Sequence, residues 1–345
     1  MNSIDLKRSQ HQIVGFNYLR VAACIAIIVL HATYACGYQF RKEISLFNYA
    51  STSAVTNCMM WAVPCFVMIT GALLLEPSRE VSIKKLYKKY LLRVFRALAI
   101  FVMVYRVFDM IISPEGITGH GILQGVEQIF TGTSWKPLWY LYMLIGLYLL
   151  LPIYRKIVQA CSELELKYFL GIYFIFLSIF PVLSGFGINI NFTIHIASIY
   201  PFYLFMGYAL RKQIIRVNNK TNVALMIICA VLISGLTFFR WDNNLAAMET
   251  LWSYSSPIVI IASCAVFCVF LNIQNKAPEV LHHILVACDH CSFGIYLIHI
   301  IFIKAFTQVL GFNPYIYGIA GFVGLIIIVF ILAFTCTWLI LKIVE

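Results

Sequence analysis

Charge is the scarcest property of this 345-residue chain, at 11% of residues, and acidic side chains number only 14. A soluble protein of this length cannot cover its surface with so few charged groups, so a soluble globular fold is excluded. Long polar stretches are also missing, which leaves no room for a separate soluble domain. Residues 1–345 therefore read as one membrane domain. The polar tail before Asn17 and the length of the first apolar run do not fit a cleavable signal peptide, so that run is expected to stay as a helix. Internal repeats are lacking, and with them the inverted-repeat signature of many secondary transporters. The eleven cysteines form no framework. Cys24, Cys58, Cys65, Cys229, Cys264, Cys268 and Cys336 sit inside apolar runs, where thiols act as small hydrophobes.

What is present is hydrophobicity: 62% of residues and a mean hydropathy of +0.88. Ten apolar segments stand out, near Phe16–Tyr38, Ala54–Leu75, Tyr90–Ile112, Leu138–Tyr154, Lys167–Ser184, His195–Leu210, Asn222–Phe239, Tyr254–Leu271, Cys291–Leu310 and Tyr315–Leu341. Each approaches the roughly 20 residues that a spanning helix needs. The expected fold is an all-α polytopic membrane bundle of about ten transmembrane helices.

The net charge of +11 would suggest nucleic acid in a soluble domain. Here it marks loops. If the N-terminus is cytoplasmic, sixteen of the 25 lysines and arginines fall in inner segments, and only Arg41, Lys42, Lys136 and Arg240 fall in outer ones. That asymmetry predicts both termini cytoplasmic and an even number of helices. The longest outer loop, Ser113 to Pro137, carries Glu115, His120, Glu127 and Trp135 and is placed to cap an outward-facing site.

Ionisable groups within apolar segments are expensive and mark candidate sites. Arg20 and His31 lie eleven residues apart on the first helix. Eleven steps return to within about 20° of the same face, about 16 Å along the axis. One face thus offers a fixed cation near the inner surface and a proton-transfer group above it. A snorkelling arginine and a packing histidine would also fit that spacing. Arg93 and Arg96 stand at i, i+3 at the inner end of the third helix, a pairing that suits phosphate oxygens or lipid headgroups. Arg106 and Asp109 share the same spacing and are expected to pair with each other. His195 and His299 are further intramembrane candidates. His282, His283, Cys288, Asp289, His290 and Cys291 cluster on an expected inner loop, but their spacing matches no zinc pattern and no metal is expected.

Four blocks resemble the acyltransferase-3 family of membrane acyltransferases. They are Asn17-Tyr18-Leu19-Arg20 through His31; Val63-Pro64-Cys65-Phe66-Val67-Met68-Ile69-Thr70-Gly71; Arg93-x-x-Arg96; and Leu138-Trp139-Tyr140-Leu141 to Pro152, with Ser292-x-Gly294-Ile295-Tyr296-Leu297-Ile298-His299 near the end. Thr70 stands where the family commonly has Ser. The resemblance implies ten helices without an appended esterase-like domain, in a bacterial cytoplasmic membrane. It implies acetyl-CoA as co-substrate and a sugar hydroxyl of a surface or lipid-linked glycan as acceptor. In that setting His31 is the expected base, because an imidazole with a pKa near about 6.5 exchanges protons at neutral pH. Arg20, Arg93 and Arg96 would hold the CoA phosphates. Trp139 and Tyr140 would line the acceptor path, with His120 and His299 as further substrate contacts. The rival readings are a transporter or flippase of a lipid-linked glycan, for which Pro64, Pro181, Pro201 and Pro257 supply helix breaks, and a membrane scaffold.

Overall fold

The computed structural model describes residues 14–79, 82–188, 190–192, 194–195, 198–239, 251–273 and 276–344. Every regular element among them is helical. Three helices open the chain: α1 (Val14–Gln39), α2 (Leu46–Cys58) and α3 (Ala62–Leu74). Then come α4 (Leu92–Ile112), α5 (Gly119–Thr131) and α6 (Trp139–Ala160). The remainder are α7 (Glu163–Phe174), α8 (Tyr200–Arg211), α9 (Asn219–Phe239), α10 (Pro257–Leu271), α11 (Glu279–Lys304) and α12 (Gly318–Val344).

Each of the ten apolar segments contains helix among the described residues, the sixth only from Tyr200. Among the described residues, seven spans are long and apolar enough to cross a membrane: α1, α2 with α3, α6, α7 with its continuation to Gly185, α9, α11 and α12. The other three fall short for distinct reasons. α4 has the length but carries Arg93, Arg96, Arg106 and Asp109. α10 has 15 residues. α8 has 12, about 18 Å of helix against the roughly 30 Å of a hydrocarbon core.

Local chemistry explains several boundaries that the apolar pattern placed elsewhere. The second span begins at Leu46, because the Ser45 hydroxyl accepts the Asn48 amide and caps α2. Pro64 sits in the first turn of α3, where its missing N–H leaves no bond unmade. The stretch expected as an outer loop contains α5, capped by Thr118 and ended by Gly132 at φ 70°. The cluster from His282 to Cys291 lies on α11, which starts at Glu279 rather than near Cys291. His195 lies outside any helix and is exposed.

α1 is the central helix, packed against α2, α3, α10, α11 and α12. α3 and α8 make the closest crossing. A Cβ at Gly71 would overlap the Leu204 carbonyl, and one at Gly207 would overlap the Met68 carbonyl. Small residues at both contact points let the two backbones touch. This crossing seats the short α8 deep in the bundle, with Phe202, Tyr203, Leu204 and Phe205 fully buried.

Candidate active site

Arginines gather at one end of the bundle, and the last turn of α3 explains how they are held. The final carbonyls of a helix lack intrahelical partners. Here buried Arg155 of α6 donates to the carbonyls of Leu74, Glu76 and Arg79. Arg211 of α8 donates to the Ala72 carbonyl. Glu76 completes the clamp, 2.8 Å from Lys212 and 3.9 Å from Arg211. Burial pushes the Glu76 carboxyl up, but the hydrogen bond and charge of Lys212, the charge of Arg211 and the Ser78 hydroxyl outweigh it, leaving the carboxyl below its ordinary value. The strapped segment presents Arg79, whose guanidinium donates to the Tyr90 hydroxyl at 2.9 Å and the Leu73 carbonyl at 3.2 Å.

Arg79 meets Arg20 and Arg93 on the wall of a cavity of about 320 Å³. The Arg93 guanidinium lies 5.4 Å from the centre of the Phe293 ring. Arg20 is held by Asp289, at 3.1 and 3.0 Å from its two carboxylate oxygens. From this basic end the cavity runs along Tyr148, Leu144 and Tyr140 of α6, four residues apart and so on one helix face. That run is about 12 Å long. α3 supplies Phe66 and Thr70 to the wall, and α11 supplies Ser292, Phe293 and Tyr296.

Tyr140 and Tyr296 close the far end, with ring centroids 5.3 Å apart. Tyr296 is fixed by donating to the Pro137 carbonyl. Its ring lies 6.0 Å from His299, whose ring stacks on His31 at 5.0 Å. His31 Nδ1 and His299 Nε2 are 2.8 Å apart, and His299 Nδ1 is 3.1 Å from the Ile295 carbonyl. These two contacts assign the protons. A carbonyl only accepts, so His299 Nδ1 carries hydrogen and donates to Ile295. In the neutral ring His299 Nε2 then holds the lone pair, so His31 Nδ1 is the donor between the rings. The lone pair of His31 falls on Nε2, which has no hydrogen-bond partner among the described residues. That is the arrangement of a general base oriented by a neighbour.

The structure thus brings together Arg20, Arg93, Tyr140, His299 and His31. It separates the remaining candidates. Arg96 is exposed and lies off the cavity wall. Neither His31 nor His299 lies on the wall, and the fully buried His299 meets it through Tyr296. His120 is exposed on α5, 3.0 Å from the Gln124 amide. Trp139 is half-buried and packs on Tyr200 and Tyr254. The expected Arg106–Asp109 pair does not form. Arg106 instead donates to the Gly121 carbonyl and to Gln124, which tethers α5. Asp109 accepts from the Trp135 indole at 2.6 Å and lies 3.4 Å from Lys304. Both arginine and aspartate find partners on other elements, and each such bond satisfies a group that the i, i+3 contact would leave half-solvated.

The sequence analysis missed Arg79, counting it only as loop charge, and missed Asp289 as the partner of Arg20. A lone acid beside apolar residues was the available signal for the second. Nothing local signalled the first, because Arg155 acts on it from 76 residues away.

The acyltransferase-domain model of the acyltransferase-3 family matches residues 13–342, nearly the whole chain. The chain belongs to the acyltransferase-3 family. It is a multi-pass membrane acyltransferase. No curated protein and no solved structure shows a significant match.

Proposed function

We propose that this acyltransferase moves an acetyl group from acetyl-CoA, bound at the arginine-rich end, to a sugar hydroxyl of a surface or lipid-linked glycan. The observation that carries the reading is the cavity, whose wall holds three arginines and also Tyr296, the ring that lies 6.0 Å from His299 of the His31–His299 pair. Arg20, Arg79 and Arg93 suit the CoA phosphates, since guanidinium forks bind phosphate oxygens in pairs. The narrow apolar run along α6 suits the pantetheine arm, which carries the thioester toward Tyr140 and Tyr296. Arg96, off the wall, adds positive potential near the same end.

His31 Nε2 takes the proton of the acceptor hydroxyl as its oxygen attacks the thioester carbonyl. The imidazolium so formed keeps its Nδ1–H bond to His299. The tetrahedral intermediate collapses with breakage of the C–S bond. The departing thiolate recovers the proton from His31 Nε2, so the acetyl ester and free CoA leave the enzyme in its starting state. Acceptor access belongs at the Trp139 end, with Tyr140 at the junction and His120 further out on α5.

The excess of basic residues in one set of loops supports cytoplasmic termini and a donor drawn from the cytoplasm, in a bacterial cytoplasmic membrane. The transporter reading shares the paired charges in a cavity, Arg20 with Asp289, but the family match favours transfer chemistry.

Calorimetry of the purified protein with acetyl-CoA and with CoA tests the donor, with Arg93→Ala alongside. Saturable binding is expected, weakened about 10- to 100-fold in the variant, as for loss of a charged hydrogen bond. No binding at millimolar donor by folded protein would overturn the reading.

A further inference from the structure

Three aromatic rings form a closed triangle at the end of the bundle opposite the arginines. Trp139 lies 5.5 Å from Tyr200 and 5.5 Å from Tyr254, and the two tyrosines are 6.1 Å apart. They come from three parts of the chain: the first residue of α6, the first residue of α8, and the turn that enters α10. Trp139 stands sixteen residues from Arg155 on α6, about 24 Å from the arginine clamp. Tyr254 is fixed through its backbone, whose carbonyl accepts the buried Tyr203 hydroxyl at 2.6 Å.

Mutual packing of its rings separates this triangle from a lipid-facing aromatic belt. Belt aromatics point outward singly at the headgroup level, whereas these rings pack on one another and on Tyr140, whose ring lies 6.3 Å from Trp139. Buried tyrosines and tryptophans also normally engage their polar tips. In this bundle Tyr105, Tyr203 and Tyr296 do so, each on a backbone carbonyl. The buried hydroxyls of Tyr140, Tyr148, Tyr173 and Tyr208 have no partner among the described residues, so it is the mutual packing of the three rings that sets the triangle apart. The Trp139 indole N–H and the Tyr200 and Tyr254 hydroxyls have no hydrogen-bond partner among the described residues, and all three side chains are only half-buried. Close by, the Ser256 hydroxyl is fully buried and likewise has no partner among the described residues.

Half-buried rings bordered by open donors and acceptors complement one ligand chemistry well. A pyranose has an apolar C–H face that stacks on aromatic rings and a rim of hydroxyls that bond to polar tips. We propose that Trp139, Tyr200 and Tyr254 form a platform that binds a sugar ring of the acceptor. The platform reaches the base by a short series of ring contacts, from Trp139 to Tyr140, Tyr296 and His299. The proposal rests on the reading of the acceptor as a glycan.

The test uses the full chain in a detergent without a sugar headgroup. Its intrinsic fluorescence is titrated with the methyl glycosides of glucose, galactose and N-acetylglucosamine, with no acyl donor present. Saturable quenching by at least one glycoside is expected. It should weaken about tenfold or more in Tyr200→Leu, which keeps bulk and loses the ring face, and less in Tyr200→Phe, which keeps the face and loses the hydroxyl. Thermal unfolding confirms that both variants fold. Absence of saturable binding by all three glycosides, or wild-type affinity in Tyr200→Leu, would overturn the platform. Because the titration needs no donor, the two readings fail separately. Glycoside binding in a protein that never binds acetyl-CoA removes the proposed reaction and leaves the platform. Acetyl-CoA turnover without glycoside binding does the reverse.

Discussion

Among the polar contacts between α1 and α11, two differ in kind. Near the basic end Arg20 and Asp289 form an ion pair whose side chains keep 25% and 13% of their exposure. Eleven residues further along α1, and ten along α11, His31 and His299 form a hydrogen bond with His299 fully buried. The spacing is nearly equal, so one pair of helices carries both contacts along the same seam. An ion pair is tolerable where water still reaches it, because neither charge bears the full cost of desolvation. Deeper in, two imidazoles satisfy each other without a net charge, and the Ile295 carbonyl fixes which nitrogen keeps its lone pair. The first contact suits holding charge in place, and the second suits moving a proton.

Removing each member of the deep pair is the strongest way to break this comparison. His31→Ala should lower acetyl transfer by about 10²- to 10⁴-fold, the usual worth of general base catalysis, with acetyl-CoA affinity nearly unchanged. Rate measurement beside calorimetry checks this. Wild-type transfer by the variant would remove the base from His31.

His299 sharpens the distinction between orienting and reacting. Its role requires an acceptor toward His31 Nδ1 and a donor toward Ile295. Glutamine offers both in one side chain, and leucine offers neither. His299→Leu should therefore lose about 10²-fold in kcat, because the wrong tautomer of His31 becomes available. His299→Gln should recover most of that loss. Equal loss in the two variants, at equal thermal stability, would reduce His299 to packing.

The fold was legible in the sequence to the extent that hydropathy governs it. Each of the ten apolar segments contains helix, because hydrocarbon forces backbone groups to pair within the segment. The ends were less legible, since capping by Ser45 and Thr118 extends helix into polar sequence. α5 was missed because its apolar residues, Ile122, Leu123, Val126 and Phe130, form one exposed face of a short, half-polar 13-residue helix rather than a continuous apolar run. In the candidate site, Arg20 and His31 could be placed by period alone. Their partners could not, because Asp289 and His299 lie about 270 residues away and only packing of α1 on α11 brings them close. The Arg93–Arg96 spacing pointed to a joint site on one helix edge, yet only Arg93 lines the cavity.

The smallest expected effect concerns what fixes the basic end in place. Glu76 bridges α3 to Lys212, just beyond α8, and it lies past the end of the apolar span, where pH acts directly. Its folded carboxyl titrates below the ordinary value of 4.5. A depressed carboxyl contributes stability that is fully present above its unfolded value and is lost as pH falls through its folded value. The loss should therefore begin near pH 4.5 and grow at lower pH, while neutral and alkaline conditions leave the clamp intact. Its nearest partner, Lys212, is exposed to water, so the effect on the unfolding midpoint should be on the order of 1–2 °C. Thermal unfolding of wild type and Glu76→Gln at pH 6 and pH 4 measures it. The wild type should hold the advantage at pH 6 and surrender part of it at pH 4, while the variant changes less. If both lose the same amount, the bond to Lys212 contributes nothing to the clamp. The hold on Arg79 then rests on Arg155 and Arg211, which bind carbonyls that do not titrate.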